Sequence, residues 1–445
     1  MITVLGIANG STQAVSGTAW PPVKGKGAVR SAVRATARGL HICCLTRITL
    51  GHAVKGGMEV HVDTLARGLV ARGHRLTVVT TGRSDRVEEE TSEGVRVFYL
   101  AGTTPGRYSD AWGHATLKQL ERLHAEDPID IIWGEGAGAY YYLKWRRHPL
   151  AIPVVTFLQG TYLGEVGTFW TLARVNGEWR RFLRFVLWRT MQYFRWDLWY
   201  THGANAVIGA SRENAALARW GYLLPRRKVR PSINGVDVER FAPDPDAGCR
   251  LRERLSLPGD VPVLLHCSRL EPEKGAEITL RAFARLRLRH PSTRLVVAGD
   301  GSQRDTLHTL AADLGVAGVT QFVGHVPNDE LPAFYNACTV FLYPTLAVES
   351  FGIAVAEAMA CGRPVVAARR GGIRTSIDHP ETGLLVPPGE VEALSDAVGR
   401  LLTDPAAPER IGTAARRKAV QALSTARMVE DFLGVFQHVT DRASP

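Results

Sequence analysis

The sequence lacks both a long apolar run and a closely paired cysteine motif. No stretch of the 445 residues approaches the roughly 18 consecutive apolar residues that a membrane-spanning helix needs. The six cysteines are scattered without a Cys-x-x-Cys pair, and several lie in apolar strand or helix patterns. The first absence argues against a spanning helix. The second indicates reduced, buried cysteines and therefore predicts a cytoplasmic protein.

Acidic residues are missing from the N-terminus. Residues 1–39 are dominated by Ser, Thr, Gly, Ala and basic residues, and their short apolar start lacks the charged region of a secretory signal. We predict a disordered basic extension there. The whole chain carries a net charge of +11, which favours an anionic partner such as a phosphate or an acidic lipid headgroup. No nucleic-acid-binding signature is visible, so we expect no nucleic-acid partner.

Beyond the extension, short apolar strands alternate with amphipathic helices. This alternation is typical of parallel sheets covered by helices on both faces. A Pro- and Gly-rich segment interrupts it and predicts two α/β lobes facing each other across a cleft. The expected parts are a Rossmann-like N-terminal lobe over 40–235, a linker over 236–258, a Rossmann-like second lobe over 259–424, and a C-terminal helix over 425–445 that packs back toward the first lobe.

Two carboxylates flank a predicted helix start in the second lobe. Glu349 lies in a tight loop, Phe351, Gly352 and Ile353 open the helix, and Glu357 lies within an apolar helical run. Free N–H groups at a helix N-terminus can hold a phosphate, and a carboxylate in a buried helix needs a partner. The pattern suits a ligand with a phosphate between two hydroxyl-bearing ends, such as a nucleotide sugar. The alternative for Glu357 is an ordinary exposed helix residue.

Two loops add groups that could hold phosphate. Arg269 and Lys274 follow the first strand of the second lobe, and fixed cations there would oppose charge building on a leaving phosphate. Gly56 and Gly57 precede the first helix of the first lobe, where glycine lets backbone approach a ligand closely. The alternatives are a solvated basic loop and a plain turn.

Several segments resemble, in order along the chain, those of the family 4 glycosyltransferases, which have the GT-B fold. The resemblance covers roughly residues 40–439 and depends on these joint matches: the Glu-x7-Glu motif Glu349–Glu357, the glycine loop at Gly56-Gly57, Asn234-Gly235-Val236-Asp237, Ser268-Arg269-Leu270 with Glu273-Lys274-Gly275, Ala298-Gly299-Asp300-Gly301, and Phe322-Val323-Gly324. Any single segment would be weak, whereas their order is specific.

The resemblance implies a retaining glycosyltransferase that uses a nucleoside-diphosphate sugar, with UDP- or GDP-sugars expected, and a hydroxyl acceptor in glycan, glycolipid or small glycoside synthesis. It implies that Glu349 accepts from sugar hydroxyls, Glu357 accepts from the ribose, and the backbone at Val323 borders the base. It also implies metal-independent transfer, so we expect no metal and no further cofactor. The sole Asp-x-Asp, Asp244-Pro245-Asp246, favours turn chemistry over a magnesium site.

The sequence departs from the family at two places. The family commonly carries His-Gly where this chain has Gln159-Gly160. Glutamine can donate and accept hydrogen bonds but cannot act as a titrating base, so the role of Gln159 in the catalytic set differs from that of histidine. The family often carries Pro-Glu where this chain has Arg374-Thr375, which adds a cation near the cleft.

Residues 169–200 are the oddest stretch of the first lobe, to which acceptor binding falls. They hold five tryptophans and six arginines; Trp179, Phe182 and Leu183 are predicted on one helical side, and arginines on another. A basic, Trp-rich amphipathic helix suits an anionic membrane surface or a lipid-linked acceptor. The alternative is that the aromatics are core and the arginines a solvated face. The first interpretation predicts a peripheral protein at the inner face of the membrane.

Two other functions remain open at the sequence level. A non-catalytic donor-binding subunit of a glycosyltransferase complex would tolerate Gln159, whereas Glu349, Glu357, Arg269 and Lys274 argue against it. A sugar-nucleotide epimerase can share the two-lobe fold.

Overall fold

The computed structural model describes residues 39–52, 57–144 and 150–443. The predicted extension, apart from Gly39, and Gly56 lie outside the described residues. The chain from His41 onward forms one compact unit that contains two α/β lobes, each built on its own sheet. This architecture confirms the predicted fold class. No helix in the described part of the chain is both long and apolar enough to cross a bilayer.

The first lobe is built on an eight-stranded sheet in the order β3-β4-β2-β1-β5-β6-β7-β8. Neighbouring strands are parallel except for the β3–β4 pair, which is antiparallel. The predicted alternation missed β3, because that strand is polar and mostly exposed. The strands are β1 (His41–Leu45), β2 (Arg75–Thr81), β3 (Glu89–Ser92), β4 (Val95–Leu100), β5 (Ile131–Glu135), β6 (Val154–Leu158), β7 (Ala206–Gly209) and β8 (Val229–Pro231).

Helices cover this sheet and bury a core that includes Trp112 and Trp133. Residues 169–200, in which we predicted a basic, Trp-rich amphipathic helix, belong to three helices. Gly177 in the left-handed conformation ends the first of them, and a π-helical turn at Tyr193–Asp197 separates the other two. The helices are α1 (Gly57–Val70), α2 (Asp110–Glu126), α3 (Tyr140–Lys144), α4 (Tyr162–Asn176), α5 (Trp179–Gln192), α6 (Leu198–Gly203) and α7 (Arg212–Gly221), with a 3-10 turn at Gly136–Ala139.

The predicted linker is partly helical. Helix α8 (Pro245–Arg254) begins with Asp244, whose side chain accepts a hydrogen bond from the N–H of Ala247 as an N-cap. It packs on the second lobe so closely that a Cβ on Gly248 would lie 2.6 Å from the carbonyl oxygen of Asn336. The Pro-, Gly- and Asp-rich composition suggested a turn, but Pro at the first helical position and Asp at the cap start a helix equally well.

The second lobe has a six-stranded, all-parallel sheet in the order β11-β10-β9-β12-β13-β14. Its strands are β9 (Val263–Cys267), β10 (Arg294–Ala298), β11 (Thr320–Gly324), β12 (Val340–Tyr343), β13 (Val365–Ala368) and β14 (Leu384–Val386). Its helices are α9 (Ala276–Arg287), α10 (Arg304–Asp313), α11 (Leu331–Ala337), α12 (Ile353–Ala360), α13 (Ile373–Ser376), α14 (Val391–Thr403) and α15 (Ala407–Ala422), with 3-10 turns at Pro272–Lys274 and Ala317–Val319.

The C-terminal helix α16 (Thr425–Ala443) returns to the first lobe. It starts beside the bridge between Val236 and Ser424, where the two chain crossings between the lobes meet. Its Phe432 contacts the rings of His61 and Phe157 in the first-lobe core. Burial of this aromatic face holds α16 on the first lobe.

Candidate functional site

A carboxylate, a lysine and two hydroxyls meet at the carboxyl end of β12. Glu349 Oε1 lies 2.7 Å from Lys274 Nζ and accepts hydrogen bonds from the hydroxyls of Tyr343 (3.0 Å) and Thr345 (3.2 Å). The side chains of Glu349 and Lys274 are each 15% exposed, so the pair is fixed in place yet reachable from the cleft. Sequence reasoning singled out the ion pair's two members but missed Tyr343 and Thr345. Their position at the carboxyl end of an apolar strand, with Tyr343 as its last residue and Thr345 just beyond it, was the available signal.

The backbone around Lys274 fits closely against this strand end. Gly275 has a φ of +77°, and a Cβ there would lie 2.2 Å from the carbonyl oxygen of Pro344. Only glycine accommodates both constraints. Below the loop, His266 is buried, and burial together with the nearby Lys274 charge lowers its pKa to about 4. His266 is therefore neutral at neutral pH and leaves Lys274 as the cation of this cluster.

Arg269 is not brought onto the same carboxylate. Its side chain is 69% exposed, and its ion pair is with Glu273, at 3.5 Å. The structure thus separates the two cations that the sequence grouped together. Lys274 is fixed on Glu349, whereas Arg269, in the same β9–α9 connection, presents an exposed guanidinium.

Two glycines hold the main chain of Glu349. The N–H of Gly372 donates to the carbonyl oxygen of Glu349 at 2.7 Å. Gly371 has a φ of +47°, and a Cβ on it would lie 2.2 Å from that same oxygen. The sequence identified this segment only as a departure from the family pattern, and the structure shows that it positions the Glu349 loop.

The start of α12 differs from the prediction by two residues. Gly352, with a φ of +85°, precedes the first helical residue, Ile353. Phe351 is only 2% exposed, so its side chain belongs to the core and only its backbone can meet a ligand. An α-helix leaves its first four N–H donors without acceptors inside the helix. In α12 the last of these, on Val355, donates to the carbonyl oxygen of Gly352 at 3.0 Å, so only the N–H groups before it can meet a ligand.

Glu357 is a buried carboxyl in the second turn of α12. It accepts a hydrogen bond from the hydroxyl of Tyr335 at 2.8 Å. Burial raises its pKa to about 7, although the hydrogen bond from Tyr335 acts in the opposite direction. The alternative of an exposed helix glutamate is therefore wrong, and Glu357 changes ionisation near neutral pH.

A cavity of about 440 Å³ borders the carboxyl end of β11. Val323, His325, Val326, Phe334 and Leu255 are among the residues that line it. Val323 was predicted to border a base through its backbone. Its position at the end of a parallel strand is where ligands of open α/β sheets bind.

Gln159 lies in the first lobe beside two buried titratable groups. Its Nε2 is 3.4 Å from Oε2 of Glu135, at the end of β5, and Nε2 of His61 is 3.6 Å from Oε1 of Glu135. Burial raises the pKa of Glu135 well above its ordinary value and lowers the pKa of His61 to about 3. The imidazole is therefore uncharged at neutral pH, and the raised pKa of Glu135 favours its protonated form. No pattern in the sequence predicted this pair, since Glu135 and His61 belong to separate elements.

Helix α4, which follows the Gln159 loop in the chain, forms hydrogen bonds with the second lobe. The N–H of Val348, next to Glu349, donates to Oγ1 of Thr168 at 2.8 Å. Arg370 donates to the carbonyl oxygen of Gly167 at 2.7 Å. Because α4 begins just after Gln159, the Gln159 and Glu349 loops face one cleft. Gly57, the described member of the predicted glycine loop, is the first residue of α1.

The α4–α5 hairpin exposes an apolar surface. Leu187 is 68% and Trp188 52% exposed. We call this surface the hairpin ridge; it comprises Trp170, Trp179, Leu183, Leu187, Trp188, Met191 and Phe194, all exposed. The alternative that these aromatics are core is wrong for Trp170, Trp179 and Trp188.

The arginines of the hairpin do not all form one solvated face. Arg180, Arg181 and Arg184 are exposed beside the ridge. Arg189 is instead buried, with ion pairs to Glu165 and, at 2.6 Å, to Asp197. Arg189 therefore anchors α5 to the rest of the lobe.

Two family models match the chain. Residues 55–240 match "Glycosyltransferase Family 4", and residues 250–418 match "Glycosyl transferases group 1". The boundary between the two matches falls in the segment that joins the lobes.

Curated proteins and solved structures are similar over most of the chain. A GDP-mannose-dependent alpha-(1-6)-phosphatidylinositol monomannoside mannosyltransferase from Mycolicibacterium smegmatis is 45% identical over 376 residues, 82% of this chain and 91% of that protein. A D-inositol 3-phosphate glycosyltransferase from Acidothermus cellulolyticus is 39% identical over 86% of this chain and 85% of that protein. Sucrose-phosphate synthase from Thermosynechococcus elongatus shares the fold, with a TM-score of 0.73 and 23% identity over 91% of this chain and 100% of that chain.

Proposed function

The chain belongs to glycosyltransferase family 4, and from that premise we propose that it transfers mannose from GDP-mannose to a phosphatidylinositol-based glycolipid. It is a glycosyltransferase of GT-B fold that uses a nucleotide-sugar donor. The observation that carries the finer proposal is the identity with the GDP-mannose-dependent mannosyltransferase over nearly its whole length. The exposed hairpin ridge favours a lipid acceptor over a soluble inositol phosphate.

The proposed donor site spans the cleft at the carboxyl ends of both sheets. Lys274 and Arg269 hold the diphosphate, where fixed cations stabilise the charge that develops as GDP leaves. Glu349 accepts from hydroxyls of the donor sugar, and its partners at Oε1 keep it oriented. Glu357 accepts from the ribose, and the cavity beside Val323 holds the base. The backbone N–H groups from Phe351 to Ile353 border the sugar and phosphate, as does the loop at Gly56 and Gly57.

The proposed transfer retains the anomeric configuration without a protein nucleophile. The acceptor oxygen forms its bond to the anomeric carbon on the face from which GDP departs, while the bond from that carbon to the phosphate oxygen breaks. The acceptor proton passes to the departing phosphate oxygen. Gln159 donates a hydrogen bond to the sugar, because its amide cannot take a proton as a base. Lys274 and Arg269 supply the positive charge, so we propose that transfer is independent of metal.

The hairpin ridge is proposed to bind an anionic membrane surface, with Arg180, Arg181 and Arg184 meeting lipid phosphates. We expect a cytoplasmic protein, peripheral at the inner face. Flotation with phosphatidylglycerol-containing vesicles at low salt tests this. Leu187→Ser should reduce binding, whereas Leu288→Ser, which changes an exposed leucine of the second lobe, should not. Equal flotation of both variants and the parent would contradict the proposal.

The test of function offers purified protein several donors and two acceptors. GDP-mannose, UDP-glucose and ADP-glucose are each combined with phosphatidylinositol monomannoside or with inositol 3-phosphate, with and without EDTA. We expect mannosyl transfer from GDP-mannose to the lipid, unchanged by EDTA, with an α-linked product by NMR. Transfer only to inositol 3-phosphate would overturn the acceptor. Absence of turnover would favour a donor-binding subunit, and an epimerised sugar formed without acceptor would favour an epimerase.

A further inference from the structure

A second cavity, of about 740 Å³, lies in the first lobe beside strands β7 and β8. It is bounded by the residues just before and at the start of β7, by segment 225–231 and by α16. Strand β7 runs parallel to β6, and β6 to β5, whose carboxyl ends carry Gln159 and Glu135. The cavity is therefore at the amino ends of these strands, across the sheet from the donor cleft.

The cavity is lined by four basic side chains. Arg227, Lys228 and Arg230 lie on one wall and Arg442 on the other, and Lys228 Nζ donates to the carbonyl oxygen of His202 at 2.6 Å. Arg227, Arg230 and Arg442 form no ion pair with any residue that the structure describes. The cavity's own carboxylate, Asp431, is 3.0 Å from Arg427, which neutralises it.

The charges of two cavity arginines act on a neighbouring histidine. His438 also lines the cavity, and partial burial together with the charges of Arg442 and Arg230 lowers its pKa, although Asp441 acts in the opposite direction. Arginines from both walls therefore contribute to the potential at this point, and a cluster of cations attracts an anion.

The cavity also has room for more than an ion. Gly434 of α16 lines it, and a Cβ built on Gly434 would meet no atom within 4 Å. Its volume falls within the range of about 300–1,000 Å³ that is usual for small-molecule sites.

We propose that this cavity binds a phosphate monoester or diphosphate group carried on a small organic moiety. Arg227 and Arg230 bind the phosphate from the segment 225–231, and Arg442 binds it from α16. Planar guanidinium groups suit phosphate because each can offer two N–H donors in parallel. The organic moiety occupies the open space beside Gly434. A soluble sugar phosphate and a lipid headgroup present the same phosphate chemistry.

Calorimetry with inorganic pyrophosphate tests the site while excess GDP fills the donor cleft. We expect saturable binding by the parent protein and about a hundredfold loss in Arg227→Gln/Arg230→Gln, since two charge-assisted hydrogen bonds disappear. Arg417→Gln, which changes an exposed arginine of α15, is the matched control and should bind like the parent. Gly434→Leu keeps every charge and fills only the space assigned to the organic moiety, so it should bind pyrophosphate like the parent.

The outcomes separate this site from the proposed transferase function. Absence of saturable binding in the GDP-saturated parent, or binding by Arg227→Gln/Arg230→Gln as tight as by the parent, would overturn the proposal and leave mannosyl transfer untouched. Vesicles of phosphatidylcholine with phosphatidic acid distinguish the two sources, measured in the Leu187→Ser background. Loss of vesicle binding on adding the Arg227/Arg230 changes assigns a lipid headgroup, whereas unchanged vesicle binding with lost pyrophosphate binding assigns a soluble ligand.

Discussion

Donor affinity should increase as pH rises through 7, because Glu357 ionises there. Burial raises the pKa of Glu357 to about 7, so this carboxyl is mostly protonated at pH 6 and mostly ionised at pH 8. An ionised carboxylate accepts stronger hydrogen bonds from the ribose hydroxyls than a protonated carboxyl does. The proposed ribose contact therefore forms best on the alkaline side.

The expected magnitude follows from the titration. If only the ionised form of Glu357 binds the donor, the apparent Kd scales with 1 + 10^(pKa − pH). With a pKa of about 7, Kd is about elevenfold weaker than its limit at pH 6 and about 1.1-fold weaker at pH 8. The change between the two is about tenfold, or about 1.4 kcal/mol.

Calorimetry with GDP-mannose from pH 6 to pH 8 measures this change. The donor's bridging diphosphate does not titrate in that interval, unlike the terminal phosphate of GDP, whose pKa is near 6. Glu357→Gln keeps the shape of the side chain and should bind with a nearly flat pH profile. A donor with a 2′,3′-dideoxyribose should also lose the pH dependence. The same slope in Glu357→Gln, or a flat profile in the parent, would refute the assignment of Glu357 to the ribose.

The same pKa shift affects the stability of the free protein. The unfolded carboxyl titrates near the ordinary value of 4.5, so the unfolded state loses its proton first as pH rises. Stability should fall between about pH 4.5 and pH 7, by about 3 kcal/mol in total, and level off above pH 7. Urea unfolding of Glu357→Gln should lack this component, and an identical pH dependence in both proteins would show that Glu357 is not shifted.

Three further predictions concern the scaffold of the site. Lys274→Ala and Glu349→Ala should each lower kcat/KM by about 100- to 1,000-fold with unchanged circular dichroism, and near-full activity in either would contradict the donor-site assignment. Gly275→Ala should lower the free energy of unfolding by about 1–3 kcal/mol, because the positive φ and the neighbouring carbonyl oxygen leave no room for a Cβ. The variant should therefore have a lower Tm and a higher KM for the donor. An unchanged Tm would contradict this prediction. Arg189→Met should lower the free energy of unfolding in urea by about 3–5 kcal/mol at pH 8, because it leaves Glu165 and Asp197 without their cation. The loss should be smaller at pH 5, because burial raises the pKa of both carboxyls and they take up protons more readily there. A loss of the same size at both pH values would refute the ion-pair account.

The sequence predicted regular apolar elements well and polar or unusual ones poorly. The apolar runs over residues 75–81, 95–100 and 340–343 predict strands, and β2, β4 and β12 have these bounds. Strand β3 was missed because its residues are polar and mostly exposed. Backbone pairing with β4 stabilises it, and that pairing cannot be seen in its own sequence. Helix α8 was missed because the sequence Asp-Pro can begin either a turn or a helix.

The candidate site shows a similar division. Motif order placed Glu349 and Lys274 in one donor site, although 75 positions separate them in the chain. It did not indicate that they pair directly, or that Tyr343 and Thr345 complete the cluster. It also grouped Arg269 with them, whereas that guanidinium pairs with Glu273 in the folded chain.

By itself, then, the sequence determined the two-lobe fold through its periodicity, and its resemblance to known proteins indicated the enzyme family and the residues of the candidate donor site. Periodicity and motif order are local properties that can be read without the folded structure. The tertiary structure decided which of those groups meet and which are charged. Burial sets the ionisation of Glu357, Glu135 and His61, and burial exists only once distant elements pack together. Packing also decided which tryptophans and arginines of the hairpin face solvent. It brought segment 225–231 next to α16 and so formed a basic cavity that no sequence motif predicted.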